Sequence, residues 1–336
     1  MTLEAGSCPE RGATMQRRLR FGLVLLGLWL LSCSAPQHKE PEPKARPSAG
    51  DLPEIDALWD YHAPAATEEV FETLLAKIEG TDAEDYRLEL LTQIARAQSL
   101  QGDFETAHAT LDQVEPALPT ASKVVHARYL LERGRVFNAA RQNDKAKTLF
   151  VAAWELCQAE RNDVCAVDAA HMMGVIEPAA EATHWNEQAL ALALSSKQEG
   201  AKRWLGALYN NMGWTHHDQG EYEKALEMFQ AGLAWRESQG EQGPILVARW
   251  SVGRTLRSLG RTKEALELQK ALVKAHEEAG TTDGFVFEEV AECLYALGKK
   301  KDAKPFFTKA YEVLSNDPWM TQNETDRLER LRTLGK

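Results

Sequence analysis

The sequence predicts an all-α protein assembled from stacked helical hairpins. Three observations lead there. An alanine marks a recurring phase at Ala107, Ala146, Ala182, Ala225, Ala265 and Ala303, at intervals of 39, 36, 43, 40 and 38 residues. Around the fourth marker, Tyr222, Ala225 and Phe229 stand three and four positions apart, the spacing of one helix face. And with 44% hydrophobic residues the 336-residue chain can bury a core along most of its length. Hairpins that recur at such a period cannot bury their apolar faces alone, so they stack into an α-solenoid.

The first segment of the chain is of another kind. The run Phe21–Leu31 follows Arg17, Arg18 and Arg20, and its eleven apolar residues fall short of the ~20 that cross a bilayer as a helix. A basic flank, a short apolar stretch and then small residues describe a secretory signal over residues 1–32, with Met15 the better start because residues 1–14 add Glu4 and Glu10. Leu30-Leu31-Ser32-Cys33 resembles the bacterial lipobox. That resemblance implies acylation of Cys33, whose chains supply ~0.8 kcal/mol per buried methylene. By the same analogy Ser34 is not an inner-membrane retention signal, so the outer membrane of a diderm bacterium is expected. Four prolines and no large apolar residue between Ser34 and Gly50 describe an extended tether over residues 33–50.

Residues 51–83 read as capping helices: Leu58 to Gly80 contains a short helix, a break at Pro64 and a second helix. Residues 84–315 carry about six repeats, the strongest running from Gly206 to Gln239. Gly213, Gly220, Tyr222, Ala225 and Phe229 resemble the tetratricopeptide repeat, a helix-turn-helix unit of ~34 residues. Gly213 is read as a site of close helix approach and Gly220 as the turn that ends the first helix. The resemblance implies a right-handed superhelix of hairpins whose first helices, the A helices, line a concave groove. The third repeat departs from the pattern: Gly174 lies only 8 residues before Ala182, against 12 for Gly213 and Ala225, and Pro178 falls in the shortened turn. Residues 316–336 read as a polar capping helix.

Mapped on the repeat, the positions that contact ligands in the family form one stripe of each A helix. Here that stripe mixes arginine and tryptophan in the middle with acids near the C-terminus. Asn210, Trp214, His217, Trp250, Arg254 and Arg257 are the expected centre of a peptide-binding groove, with Glu288, Glu292 and Tyr295 extending it. Trp and Arg dominate interface energetics, and arginine holds carboxylates bidentately. Packing between neighbouring helices is the competing reading for both tryptophans.

No catalytic residues, metal ligands or cofactor are assigned. His216-His217-Asp218 is the most suggestive cluster, yet adjacent helical residues do not share a face. No P-loop, nucleophile elbow, zincin or dinucleotide motif stands in a suitable context. A formal net charge of -11 argues against nucleic acid as partner. Export permits a bond between Cys157 and Cys165, but two separate buried thiols are the preferred expectation. The expected function is that of a non-enzymatic, lipid-anchored scaffold binding protein or peptide partners in the cell envelope. A soluble cytosolic peptide-sensing regulator is the alternative, and an envelope enzyme the least favoured. Oligomeric state and partner identity are not legible.

Overall fold

The computed structural model describes residues 52–336; the signal-like segment, Cys33 and the tether lie outside the described residues. Within them the chain is helical and folds as an α-solenoid. A 3-10 turn, Ile55–Leu58, precedes α1 (Pro64–Lys77), which Pro64 opens from its first position, where a missing N–H costs nothing. Six antiparallel pairs follow: α2 (Glu84–Leu100) with α3 (Phe104–Asp112), α4 (Lys123–Ala139) with α5 (Asn143–Ala159), and α6 (Asp163–Ile176) with α7 (Ala179–Ser195). After the short α8 (Glu199–Lys202) come α9 (Leu205–Asp218) with α10 (Tyr222–Gln239), and α11 (Gln242–Ser258) with α12 (Thr262–Glu278). The last pair is α13 (Gly284–Ala296) with α14 (Lys300–Leu314), and α15 (Pro318–Asn323) and α16 (Thr325–Gly335) close the chain.

Each pair is held by the residues that mark the period. The six phase alanines are buried, five of them fully and Ala182 at 6% exposure, because each sits where its B helix crosses a neighbour. Gly213 faces the ring of Phe229, and a Cβ there would lie 2.5 Å from it. Gly134 meets Phe150 in the same way two repeats earlier. A side chain on either glycine would push the pair apart, so the close approach depends on its absence.

Five of the six A-to-B turns have three residues with the middle one left-handed. Gly220 at φ 78° is typical, but Arg141 holds this position with φ 60°. The third pair is the exception: α6 stops at Ile176, Glu177 is extended, and Pro178 starts α7 after only two residues. Proline disfavours helical backbone at the residue before it, which accounts for the abrupt break. The short α8 then takes up the residues that lengthen the next interval to 43.

The cysteine expectation is corrected. Cys157 and Cys165 form a disulfide across the α5–α6 turn, with Cα atoms 5.7 Å apart. The last turn of α5 and the first of α6 bring the two within the usual bridging range, which sequence separation alone does not reveal. The C-terminal α16 is less uniformly polar than its sequence suggests: Leu328 and Leu331 are buried in the core that α13 and α14 share.

Candidate functional site

The A helices present a continuous polar face, and their side chains link each helix to the next. Buried Glu132 of α4 accepts from Arg96 of α2 at 3.2 Å and from Arg135 of its own helix at 2.7 Å. Arg135 reaches on to Asp168 of α6. His171 of α6 stands 3.4 Å from the Asn211 amide of α9, and His217 of α9 lies 3.0 Å from the Ser258 hydroxyl of α11. The α11 arginines converge on buried Glu289 of α13: Arg257 bidentately at 2.7 and 2.8 Å, Arg254 through its Nε at 3.2 Å. Finally α16 closes the series, Arg327 gripping Glu288 at 2.8 and 2.7 Å and Arg330 gripping Glu292.

One cavity of about 440 Å³ gathers most of the predicted contact residues: Trp214, His217, Trp250, Arg254, Arg257, Glu288 and Glu292. The structure adds Asp218, Glu289 and Arg327 to its lining. Asn210 lies apart, in a narrow cleft with Phe229 and Arg236. Tyr295 faces a third space, beside Arg330 and Leu334. The stripe is therefore divided within single helices: Asn210 shares α9 with Trp214 and Tyr295 shares α13 with Glu292, yet each lines a different space.

The two tryptophans meet, with ring centroids 5.8 Å apart and a 39° tilt. Trp214 also packs edge-on against Phe229 at 5.0 Å and His217 at 5.2 Å, so it serves the helix interface as well as the cavity wall. Trp250 reaches Phe285 at 6.2 Å, and its buried indole N–H finds no acceptor among the described residues. Both competing readings of these rings hold at once: each is half-buried and lines the cavity from one side only.

The electrostatics single out Arg254. Burial pushes its pKa down, Glu289 offsets this only in part, and the nearby Arg257 and Arg327 charges add to the depression. Arg257 moves the other way despite burial, raised by its hydrogen bonds and charge pairing with Glu289. Arg327 is likewise raised, chiefly by the hydrogen-bonded Glu288. Of the three arginines lining this cavity, Arg254 is thus the one shifted down, despite Glu289 and Glu288 nearby, and its Nη1 donates to the neutral Ser258 hydroxyl at 2.7 Å. His217 has its pKa lowered, first by burial and then by Arg254, so the imidazole adds no positive charge near neutral pH.

Sequence reasoning missed Glu289, the hub of the site. It follows Glu288 in a run of acids that reads as an exposed face, although Glu132 holds the equivalent repeat position and also pairs with two arginines, one from the preceding A helix and one from its own. That recurrence was the signal available. Glu288 and Glu292 prove to be engaged by the C-terminal helix, and His216 turns away to Glu221 at 2.7 Å.

Comparisons with known proteins agree with this architecture. Tetratricopeptide-repeat family models match residues 207–278 and residues 92–113. No curated protein matches by sequence. Among solved structures, the apo form of RapI aligns with a TM-score of 0.63 at 14% identity, over 79% of this chain and 74% of its own. A signal-transduction ATPase with a tetratricopeptide repeat sensor from Pyrococcus horikoshii aligns at 0.62 and 14% identity, over 80% of this chain but 42% of its own. NprR in complex with its cognate peptide NprX aligns at 0.51 and 16% identity, over 83% and 81%. At such identities the likeness is one of fold: a tetratricopeptide-repeat-like solenoid.

Proposed function

We propose that this chain is a non-enzymatic interaction scaffold of a bacterial cell envelope, anchored by lipid at Cys33, that binds a protein or peptide partner on its A-helix face. The observation that carries the reading is the cavity lined together by the paired rings of Trp214 and Trp250 and by the partly buried Arg254. A carboxylate entering there relieves the charge on Arg254 that burial disfavours, while the rings supply apolar contact area. That NprR was solved with its peptide NprX makes a peptide a reasonable ligand for this fold, though the likeness does not carry its chemistry across.

The envelope location is supported by two features. The basic and apolar run ending at Cys33 fits an exported lipoprotein. The Cys157–Cys165 bond suits an oxidising compartment, whereas a cytosolic regulator of the same fold would keep both thiols reduced. No helix among the described residues is long and apolar enough to cross a membrane.

The test is affinity capture from detergent-solubilised envelopes with wild-type and Arg254→Ala baits. Arg254 is the cleaner target because Glu289 retains Arg257 when it is removed. Partner recovery should fall about tenfold, the effect of losing one good charge-assisted contact of ~1.4 kcal/mol; equal recovery refutes the site. In parallel, labelled palmitate should enter the wild-type chain and not Cys33→Ser, and labelling of both refutes the anchor.

A further inference from the structure

Ahead of α1, residues 52–62 lie on the A-helix face of α2 and α4 and are held there by side chains rather than by helix packing. Ile55 is the apolar anchor, buried among Phe71, Ile78, Leu90 and Ile94. Asp56 takes a bidentate pair from Arg128 at 2.9 and 3.0 Å, while the same guanidinium meets Glu89 through Nε at 2.9 Å. Trp59 donates its indole N–H to Gln93 Oε1 at 2.9 Å. Its ring stacks on Tyr61, centroids 4.8 Å apart and planes 5° from parallel. The Arg96 guanidinium covers both rings, 5.6 Å from one centroid and 5.3 Å from the other. Tyr61 is nevertheless 57% exposed.

These are the contacts of a bound peptide. An acid, an aromatic three residues on and another two beyond that meet two arginines and a side-chain amide on a preformed helical surface. The segment is fastened at its far end, where Asp60 and Thr67 of α1 exchange two 3.1 Å hydrogen bonds. Among the described residues upstream of that hinge, its backbone gives the A helices only the Pro53 carbonyl, which accepts from the Tyr86 hydroxyl at 2.8 Å. Burial and the Asp56 and Asp85 charges push the Glu89 carboxyl up, against the pull of Arg128, so Asp56 crowds an acid already present.

We propose that the A-helix face of α2 and α4 is a second peptide site, selective for an extended segment of acidic and aromatic residues, and that residues 52–62 fill it in cis. It is separate from the Arg254 cavity, and neither site requires the other. A covalently linked occupant acts at an effective concentration of ~1 mM. With an intrinsic Kd of ~10 μM for the tethered segment itself, that occupancy weakens binding of any peptide in trans by ~100-fold.

The probe is a fluorescein-labelled peptide of sequence LPEIDALWDYH, titrated into the full chain by anisotropy. The variant Ile55→Ala/Asp56→Ala/Trp59→Ala/Tyr61→Ala removes the anchor and the polar and aromatic contacts together, releases the segment and leaves Arg96, Gln93 and Arg128 in place. It should bind the peptide at least tenfold more tightly than wild type, and a further Arg128→Gln should undo most of that gain. Asp56→Asn, which spares the Trp59–Phe71 contact at 5.4 Å, should sharpen binding severalfold without loss of helicity. Released variants that bind no better than wild type overturn the proposal, as does equal binding of a scrambled peptide. Arg254→Ala should leave this titration unchanged, so the outcome is read apart from that of the other cavity.

Discussion

Glu289 of α13 is shared by two guanidinium groups, those of Arg254 and Arg257. Its carboxylate is 3% exposed as a residue and meets two arginines from the preceding A helix. Removing a buried acid from such a group strands the cations it compensated, an effect of ~3–5 kcal/mol when burial is complete. Arg254 and Arg257 are each about a quarter exposed and can turn to solvent, so Glu289→Ala should cost about 2–3 kcal/mol. Denaturant melts of Glu289→Ala and Arg254→Ala check this: the first should shift the midpoint strongly and the second little. Beneath this group the Cys293 thiol is pushed up to about 12 by burial and the neighbouring Glu289 charge, which leaves it protonated and inert.

At the scale of the element, the turns decide how the hairpins close. Three-residue turns with a left-handed middle residue recur at Gly102, Gly220, Gly260 and Gly298, but Arg141 adopts φ 60° in the second pair. An L side chain in that region costs roughly 1–2 kcal/mol, of which glycine's greater unfolded-state entropy takes back part. Arg141→Gly should therefore raise stability by about 0.5–1 kcal/mol, measured as a shift in denaturation midpoint at unchanged slope. The α6–α7 link follows a different logic, since Pro178 ends one helix and begins the next within two residues. Both the break and its shortness are legible from the 8-residue interval and the proline. The left-handed Arg141 is not, because nothing in its identity announces a positive φ.

Across the molecule, each hairpin packs on the hairpins before and after it, and stability is a sum of such nearest-neighbour interfaces. The Cys157–Cys165 bond ties the second hairpin to the third and so strengthens one of these interfaces. Closing so short a loop restricts the unfolded chain by about 2.5 kcal/mol. Mild reduction should lower the unfolding midpoint of the full chain, and thiol reagents should label Cys157 and Cys165 only after reductant. Labelling of the native, unreduced protein at either position would contradict the bond.

The helical hairpin, its period, the irregular third repeat and the small residues at the crossings are all legible in the order of residues. These are local: helix periodicity, a missing side chain at Gly213 and the restriction before Pro178 act within one or two turns of chain. That order also places Trp214, Trp250, Arg254 and Arg257 on one stripe, and the structure brings them to one cavity. What each of those residues touches depends on the folded stack. Asn210 and Tyr295 leave the group, Glu289 becomes its hub, and Glu288 and Glu292 turn to partners on α16, 39 and 38 residues further along the chain. The same holds for Asp56 and Arg128, and for the cysteines that meet across a turn. A charged side chain chooses its partner by distance and desolvation in the folded stack, and neither quantity is carried by its position in the repeat.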